Sequence, residues 1–178
     1  MSTNYLNSDT ITKLLQLDEE LKLKNNTALD HYLGIMVCRE EGFMYDCTPE
    51  DALVFAYTGM GGDHFAFSTK NGTIHNLEEA PILFVQPMIF ESQVKVVARN
   101  IKDLLSIFLS IKEFYILERF DWYESEIDMM LDIKENYEQS INERLQELDF
   151  ISEKLEEYIS IKRIENVFQY ITSIRQDI

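Results

Sequence analysis

The apolar positions of this chain change period several times, and each change marks an element. Between Thr10 and Lys24 the run TITKLLQLDEELKLK places Ile11, Leu14, Leu15, Leu17 and Leu21 at near-helical spacing behind the capping candidates Ser8, Asp9 and Thr10. This predicts an N-terminal amphipathic helix. From Leu33 to Cys47 the alternation is poor, and Ile35-Met36-Val37-Cys38 and Phe43-Met44-Tyr45 are expected as two short strands turning at Gly42. After the polar turn TPEDA, Leu53-Val54-Phe55-Ala56-Tyr57 reads as strand, and beyond a glycine-rich turn Phe65-Ala66-Phe67-Ser68 reads as the next. Asn71-Gly72 is a favoured pair for a tight hairpin, so Thr73-Ile74-His75 is expected to continue as a paired strand. Ile82-Leu83-Phe84-Val85 and Val94-Lys95-Val96-Val97-Ala98, near Pro81 and Pro87, complete a predicted antiparallel sheet.

Past Pro87 the chain has neither Gly nor Pro, and from Asn100 the apolar period lengthens to nearly four at Ile101, Leu104, Leu105, Phe108 and Leu109. The stretch IKDLLSIFLSI, with Asn100 as N-cap, is apolar enough to be the main helix packed on the sheet. Beyond Asp121 an apolar stripe from Ile127 to Ile174 predicts one or two long amphipathic helices. A stripe of that length needs burial, either as a helical hairpin turning near Asp149 or Ser152 or against a second copy of the chain. The pattern therefore predicts an α+β fold: an antiparallel β-sheet packed by helices over residues 1–120, with a long acidic helical C-terminal extension over 121–178, packed on the core or on a partner. The aromatic cluster Phe114, Tyr115, Phe120, Trp122 and Tyr123 is expected at the seam between the two.

Charge adds a bias about partners. The formal net charge is −16, and Asp121 to Ile178 contributes −9 of it from 15 acidic and 6 basic residues. Such a chain is a poor match for nucleic acid or an anionic membrane, because phosphate affinity comes from Lys and Arg. A basic protein is the complementary partner, while solubility alone is the alternative reason for the acidity. No apolar run approaches the roughly 20 residues of a membrane span, and the N-terminus lacks a secretory pattern, so the expected location is cytoplasmic. Cys38 and Cys47, with eight residues between them, fit neither a redox CxxC nor a zinc knuckle and are expected to be free thiols.

The stretch GMGGDHFAFSTKNG, residues 59–72, concentrates four of the six glycines around one of three histidines. Phosphate loops lead into a helix and carry a Lys and a Ser or Thr after the last glycine, whereas the glycines here lead into a strand and are followed by Asp63. Asp63 and His64, with His31 and His75, lack a short metal-binding spacing. A Cys–His nucleophilic pair of Cys38 or Cys47 with His31 or His64 has no signature around either cysteine. The preferred reading is a structural hairpin shaped by Gly59, Gly61, Gly62, Asn71 and Gly72, with no catalytic site, metal or cofactor. Glu78 and Glu79, between two predicted strands, and Asp63 are the candidate partner-binding carboxylates.

Several of these segments together resemble the SUKH superfamily, the group of the yeast cell-wall synthesis regulator and the Syd protein. They are Thr58-Gly59-Met60-Gly61-Gly62-Asp63-His64-Phe65-Ala66-Phe67, the turn Lys70-Asn71-Gly72, the strand Ala80-Pro81-Ile82-Leu83-Phe84-Val85, and the helix start Val97-Ala98-Arg99-Asn100-Ile101-Lys102-Asp103-Leu104-Leu105. The resemblance covers about residues 50–110, and the family's front motif, a Leu-Pro followed by a Tyr and an Asn-Gly, is not recognisable before residue 50. It implies an α+β domain without chemistry of its own. Many bacterial members look like immunity proteins that bind and block a toxin, often a nuclease. An acidic surface suits that role, because a nuclease carries a cationic groove that carboxylates can occupy. The alternative expectation is a structural or assembly protein that forms a homodimer through its C-terminal helices.

Overall fold

In the computed structural model, which describes residues 6–176, helix α1 (Asp9–Asn25) begins where Ser8 accepts a hydrogen bond from the Ile11 amide, at 3.1 Å. It buries Ile11, Leu14, Leu17 and Leu21 and ends at Asn26 in the left-handed conformation (φ 53°). A short helix α2 (Leu29–Leu33) follows, stopped by Gly34 at φ 71°. Strands β1 (Met36–Val37), β2 (Ala52–Tyr57), β3 (His64–Ser68), β4 (Ile82–Val85) and β5 (Val94–Ala98) then pair in chain order as an antiparallel meander. The fold is α+β, as the periodicity predicts.

The sheet is buried on both faces. One face presents Phe55, Phe65, Phe67, Ile82, Phe84 and Val97 to the helices. The other carries Ala52, Val54, Ala66, Leu83 and Val85, packed by Met44, Cys47, Tyr57 and Val96. The register shift between Val54 and Ala56 turns both Phe55 and Ala56 toward the helical face. Helix α3 (Ile101–Ile111), capped by Asn100 through the Asp103 amide at 2.9 Å, lays Leu104, Leu105 and Phe108 into that layer.

Three local expectations are corrected. Phe43-Met44-Tyr45 is not a strand: the Gly42 amide bonds to Val54 and the Tyr45 amide to the Thr48 hydroxyl, which leaves no continuous ladder for residues 43–45. Thr73-Ile74-His75 is not a strand either. Lys70, Asn71 and Gly72 all have positive φ, the Ile74 amide returns to the Thr69 carbonyl, and β3 pairs instead with β4. The extension is not one long hairpin turning near Asp149 or Ser152. It comprises α5 (Glu126–Asn136), α6 (Glu138–Glu143), α7 (Leu145–Ile159) and α8 (Val167–Gln176), after a short α4 (Ile116–Arg119). Asp149 and Ser152 lie inside α7, and the chain leaves that helix at Ser160 with φ 58°.

Leu148, Ile151, Leu155 and Ile159 of α7, with Val167 and Ile171 of α8, join the same apolar cluster as α1, α3 and the sheet. Polar ties fix this packing. Lys112, in the left-handed conformation at the end of α3, bonds to Ser152 and pairs with Asp149 at 3.2 Å. Of the aromatic cluster, Phe114 packs on Phe65 and Phe108, Phe120 packs on Tyr123 and Phe168, and Trp122 stays exposed beside Arg119.

Glu78, in a 3-10 turn (Leu77–Glu79), accepts hydrogen bonds from the Ser8 hydroxyl and from the Thr10 amide and hydroxyl at the start of α1. Burial pushes its carboxyl up, but these donors outweigh burial and hold it below the usual carboxylate value. Glu78→Gln is expected to lower unfolding stability at neutral pH by about 1–2 kcal/mol. The Glu78 contribution is complete above the unfolded value near 4.5 and is lost as pH falls through the lower folded value, so urea titrations of the two proteins should converge in acid.

Candidate functional site

The β2–β3 loop folds on itself through Thr58 N–H to the Asp63 carbonyl (3.0 Å) and Asp63 N–H to the Met60 carbonyl (2.8 Å). Gly62, at φ 84°, takes a backbone conformation that side chains resist, and a β-carbon there would stand 2.6 Å from the Tyr45 ring. The strand that follows starts at His64, which alternation points to the face carrying Ala66.

His64 is fully buried, with Nδ1 2.8 Å from the Gly62 carbonyl and Nε2 3.1 Å from the Thr48 hydroxyl. A carbonyl only accepts, so Nδ1 carries the proton and Nε2 accepts from Thr48, whose oxygen accepts in turn from the Tyr45 amide. The ring stacks on Tyr45 at 5.6 Å and lies 5.9 Å from Tyr57. Burial holds the imidazole pKa below its ordinary value, against the opposing pull of Gly62 and Asp63. One neutral ring thus ties the β2–β3 loop to the 43–48 segment.

Asp63 is also interior. Its carboxylate accepts from Gln86 Nε2 at 3.2 Å, and Gln86 Oε1 accepts from Lys95 at 3.1 Å. Lys95 pairs with Asp121 at 2.9 Å, and Asp121 also meets Arg175 of α8. Burial pushes the Asp63 carboxyl up, with Gln86, His64 and Lys95 opposing. Asp63 therefore begins a polar line from the β2–β3 loop to the C-terminal helix, rather than a free surface charge.

The remaining candidates do not converge. Glu78 has both carboxylate oxygens engaged by Ser8 and Thr10, and Glu79 is exposed beside Asn76. Both lie at the sheet end opposite Gly59, Gly61 and Gly62, as do Asn71 and Gly72. His31 sits on α2 beside Glu147, and His75 is exposed. Both ring nitrogens of His64 are engaged, so neither Cys38 nor Cys47 pairs with it, and burial pushes the Cys38 thiol up, away from the reactive thiolate. Among the described residues no group of three or more His, Cys, Asp or Glu is placed to hold a metal ion, and no helix is long and apolar enough to cross a membrane.

A different surface does assemble, at the end of the sheet where the β2–β3 and β4–β5 loops meet the 38–48 segment. Phe43, Met60 and Met88 are 73%, 59% and 75% exposed, and Phe90 is fully exposed. Phe43 meets Tyr45 edge-on at 5.3 Å, Tyr45 lies over Gly62, and Gly61 lies against Met88. Met36 reaches Gly59 from β1. Between Phe43-Met44-Tyr45 and Pro87-Met88 lies a recess of about 650 Å³, bordered by Asp46 and Gln93. Residues 38–48, 58–62 and 86–93 carry four acidic side chains, Glu40, Glu41, Asp46 and Glu91, and one basic, Arg39, which is paired with Glu19. The arrangement offers apolar contact inside a negative border.

The periodicity hides this surface because it places Phe43-Met44-Tyr45 in a strand. The available signal was bulky apolar residues inside turn-like segments, GFMYD, GMGG and QPMIF, where a polar loop needs none. No family model, curated protein or solved structure matches the chain.

Replacing His64 by Gln removes the ring that joins the two loops, and the expected loss at neutral pH is about 2–3 kcal/mol. The folded pKa lies below the unfolded value, so the contribution of His64 is complete above about pH 6.5 and declines below it as the unfolded chain takes up a proton. The gap between wild-type and variant urea midpoints should therefore narrow from about pH 7 to about pH 5; a gap that widens contradicts the neutral clamp.

Proposed function

We propose that this is a non-enzymatic, SUKH-like binding protein of the cytosol, acting as an immunity protein that masks a basic toxin such as a nuclease. The observation that carries the reading is the exposed set Phe43, Met60, Met88 and Phe90 on three adjoining loops, bordered by Glu40, Asp46 and Glu91. Exposed apolar clusters of this kind mark interaction sites, and aromatic residues and methionine are enriched at interface centres. The carboxylate excess favours a cationic partner and speeds encounter with it.

Preorganisation supports the same reading. The His64 clamp holds Tyr45 and Gly62 together, and Gln86, next to Pro87 of the β4–β5 loop, belongs to the polar line that runs from buried Asp63 through Lys95 to Asp121 at the surface. Loops held this way lose less conformational freedom on binding than free loops do.

The test is titration calorimetry with the cationic protein encoded by the adjacent gene, across a salt series. Phe43→Ser and Met88→Ser should each weaken binding by about tenfold or more while leaving the fold intact. Charge reversal at Glu40, Asp46 and Glu91 should slow association and flatten the salt dependence. Full affinity in the Phe43 and Met88 variants would remove this surface from the interface.

A further inference from the structure

Helix α5 holds its apolar residues in an unusual way. Met129 is its one fully buried side chain, and Ile127, Met130 and Leu131 are 70%, 51% and 50% exposed. At one helical turn of separation they form a continuous outward stripe that ends at Lys134. With Ile133 and Ile141 of α6 they line an open groove of about 560 Å³, bordered by Glu126, Lys134 and Glu138. Neither α5's own hydrogen bonding nor the main core needs this stripe, and an apolar strip on an outer helix marks a contact surface.

The charges on α5 select the occupant. Glu126 and Lys134 flank Met130 at equal sequence distance, four residues on either side. Two α5 helices crossing antiparallel about a two-fold axis at Met130 set each Glu126 against Lys134 of the other copy, so both pairs form at once. The same register places Ile127 opposite Ile133 and Met130 opposite itself. A parallel pairing sets Glu126 against Glu126, and an antiparallel register centred one half-step on, between Met130 and Leu131, sets Glu126 against Glu135. Both juxtapose like charges. Lys134 is exposed and has no ion-pair partner among the described residues, and Glu126 keeps one carboxylate oxygen unbonded beyond its contact with Asn166.

We propose that α5 is a self-complementary docking helix that pairs two copies of this chain antiparallel about Met130. An 11-residue helix offers a small contact compared with the roughly 1,200–2,000 Å² of stable complexes, so the dimer is weak and reversible. The inference is independent of the loop-end surface.

Sedimentation equilibrium of the full chain at physiological salt, from micromolar to millimolar concentration, tests it. A concentration-dependent monomer–dimer equilibrium is expected. Glu126→Lys and Lys134→Glu should each weaken the dimer by about tenfold or more, the double swap E126K/K134E should restore most of it, and Met130→Lys should abolish it. All of these positions are exposed, and circular dichroism should show folded variants. A chain that stays monomeric to millimolar concentration overturns the proposal, as does a dimer indifferent to the single charge changes or not rescued by the double swap. Phe43→Ser should leave the dimer unchanged, which separates this outcome from the fate of the loop-end reading.

Discussion

The structure depends on a chain of aromatic contacts that joins the sheet to its helical layer. Phe55 and Phe67 lie 4.5 Å apart across β2 and β3, Phe65 and Phe84 lie 4.8 Å apart across β3 and β4, and Phe114 bridges Phe65 to Phe108 of α3. These rings supply the largest buried areas in the core and fix the spacing between layers. Everything else is arranged around that slab: α7 packs against both α1 and α3, and α8 lies along β5.

The opposite sheet face is built from small and branched residues, so it is closed by a loop rather than by helices. A loop cover has few apolar contacts of its own and needs polar ties. His64 supplies them, and its position at the first residue of β3 lets one ring reach both Gly62 and Thr48. The polar line from Asp63 through Gln86, Lys95 and Asp121 to Arg175 continues the tie across three strands and into the C-terminal helix. The links from Asp63 through Gln86 to Lys95 favour one arrangement, because breaking either of them leaves a buried polar group unpaired. The exposed apolar side chains on the loops above therefore sit on a prepared base.

Two outward apolar surfaces follow from the fold and differ in kind. The loop-end surface is irregular, assembled from three separate segments and bordered by carboxylates, which suits a foreign, cationic partner. The α5 surface is a single helical stripe with one acid and one base placed symmetrically about its centre, which suits a copy of itself. The stripe from Ile127 to Ile174 is thus divided. Leu148, Ile151, Leu155 and Ile171 go into the chain's own core, and Ile127, Met130 and Leu131 remain outside.

Local pattern alone determined the α+β class, α1 behind the cap candidates Ser8, Asp9 and Thr10, strands over Leu53 to Tyr57, Phe65 to Ser68, Ile82 to Val85 and Val94 to Ala98, and α3 behind Asn100. Each rests on short-range periodicity and capping chemistry, which act within a few residues and so are written in the order of side chains. Tertiary structure decided the rest. Asn71-Gly72 has the composition of a hairpin turn, but β3 finds β4 as its partner, and Thr73 to His75 stay outside the sheet. Phe43 to Tyr45 have the composition of a strand, but pairing of β1 with the end of β2 leaves them as cover for the small-residue face. Glu78 became an anchor for α1 because Ser8 and Thr10, about 70 residues earlier, supply the donors that fill its carboxylate. Strand pairing and carboxylate partners are contacts between distant positions, so no window of sequence contains both halves of the interaction that sets them.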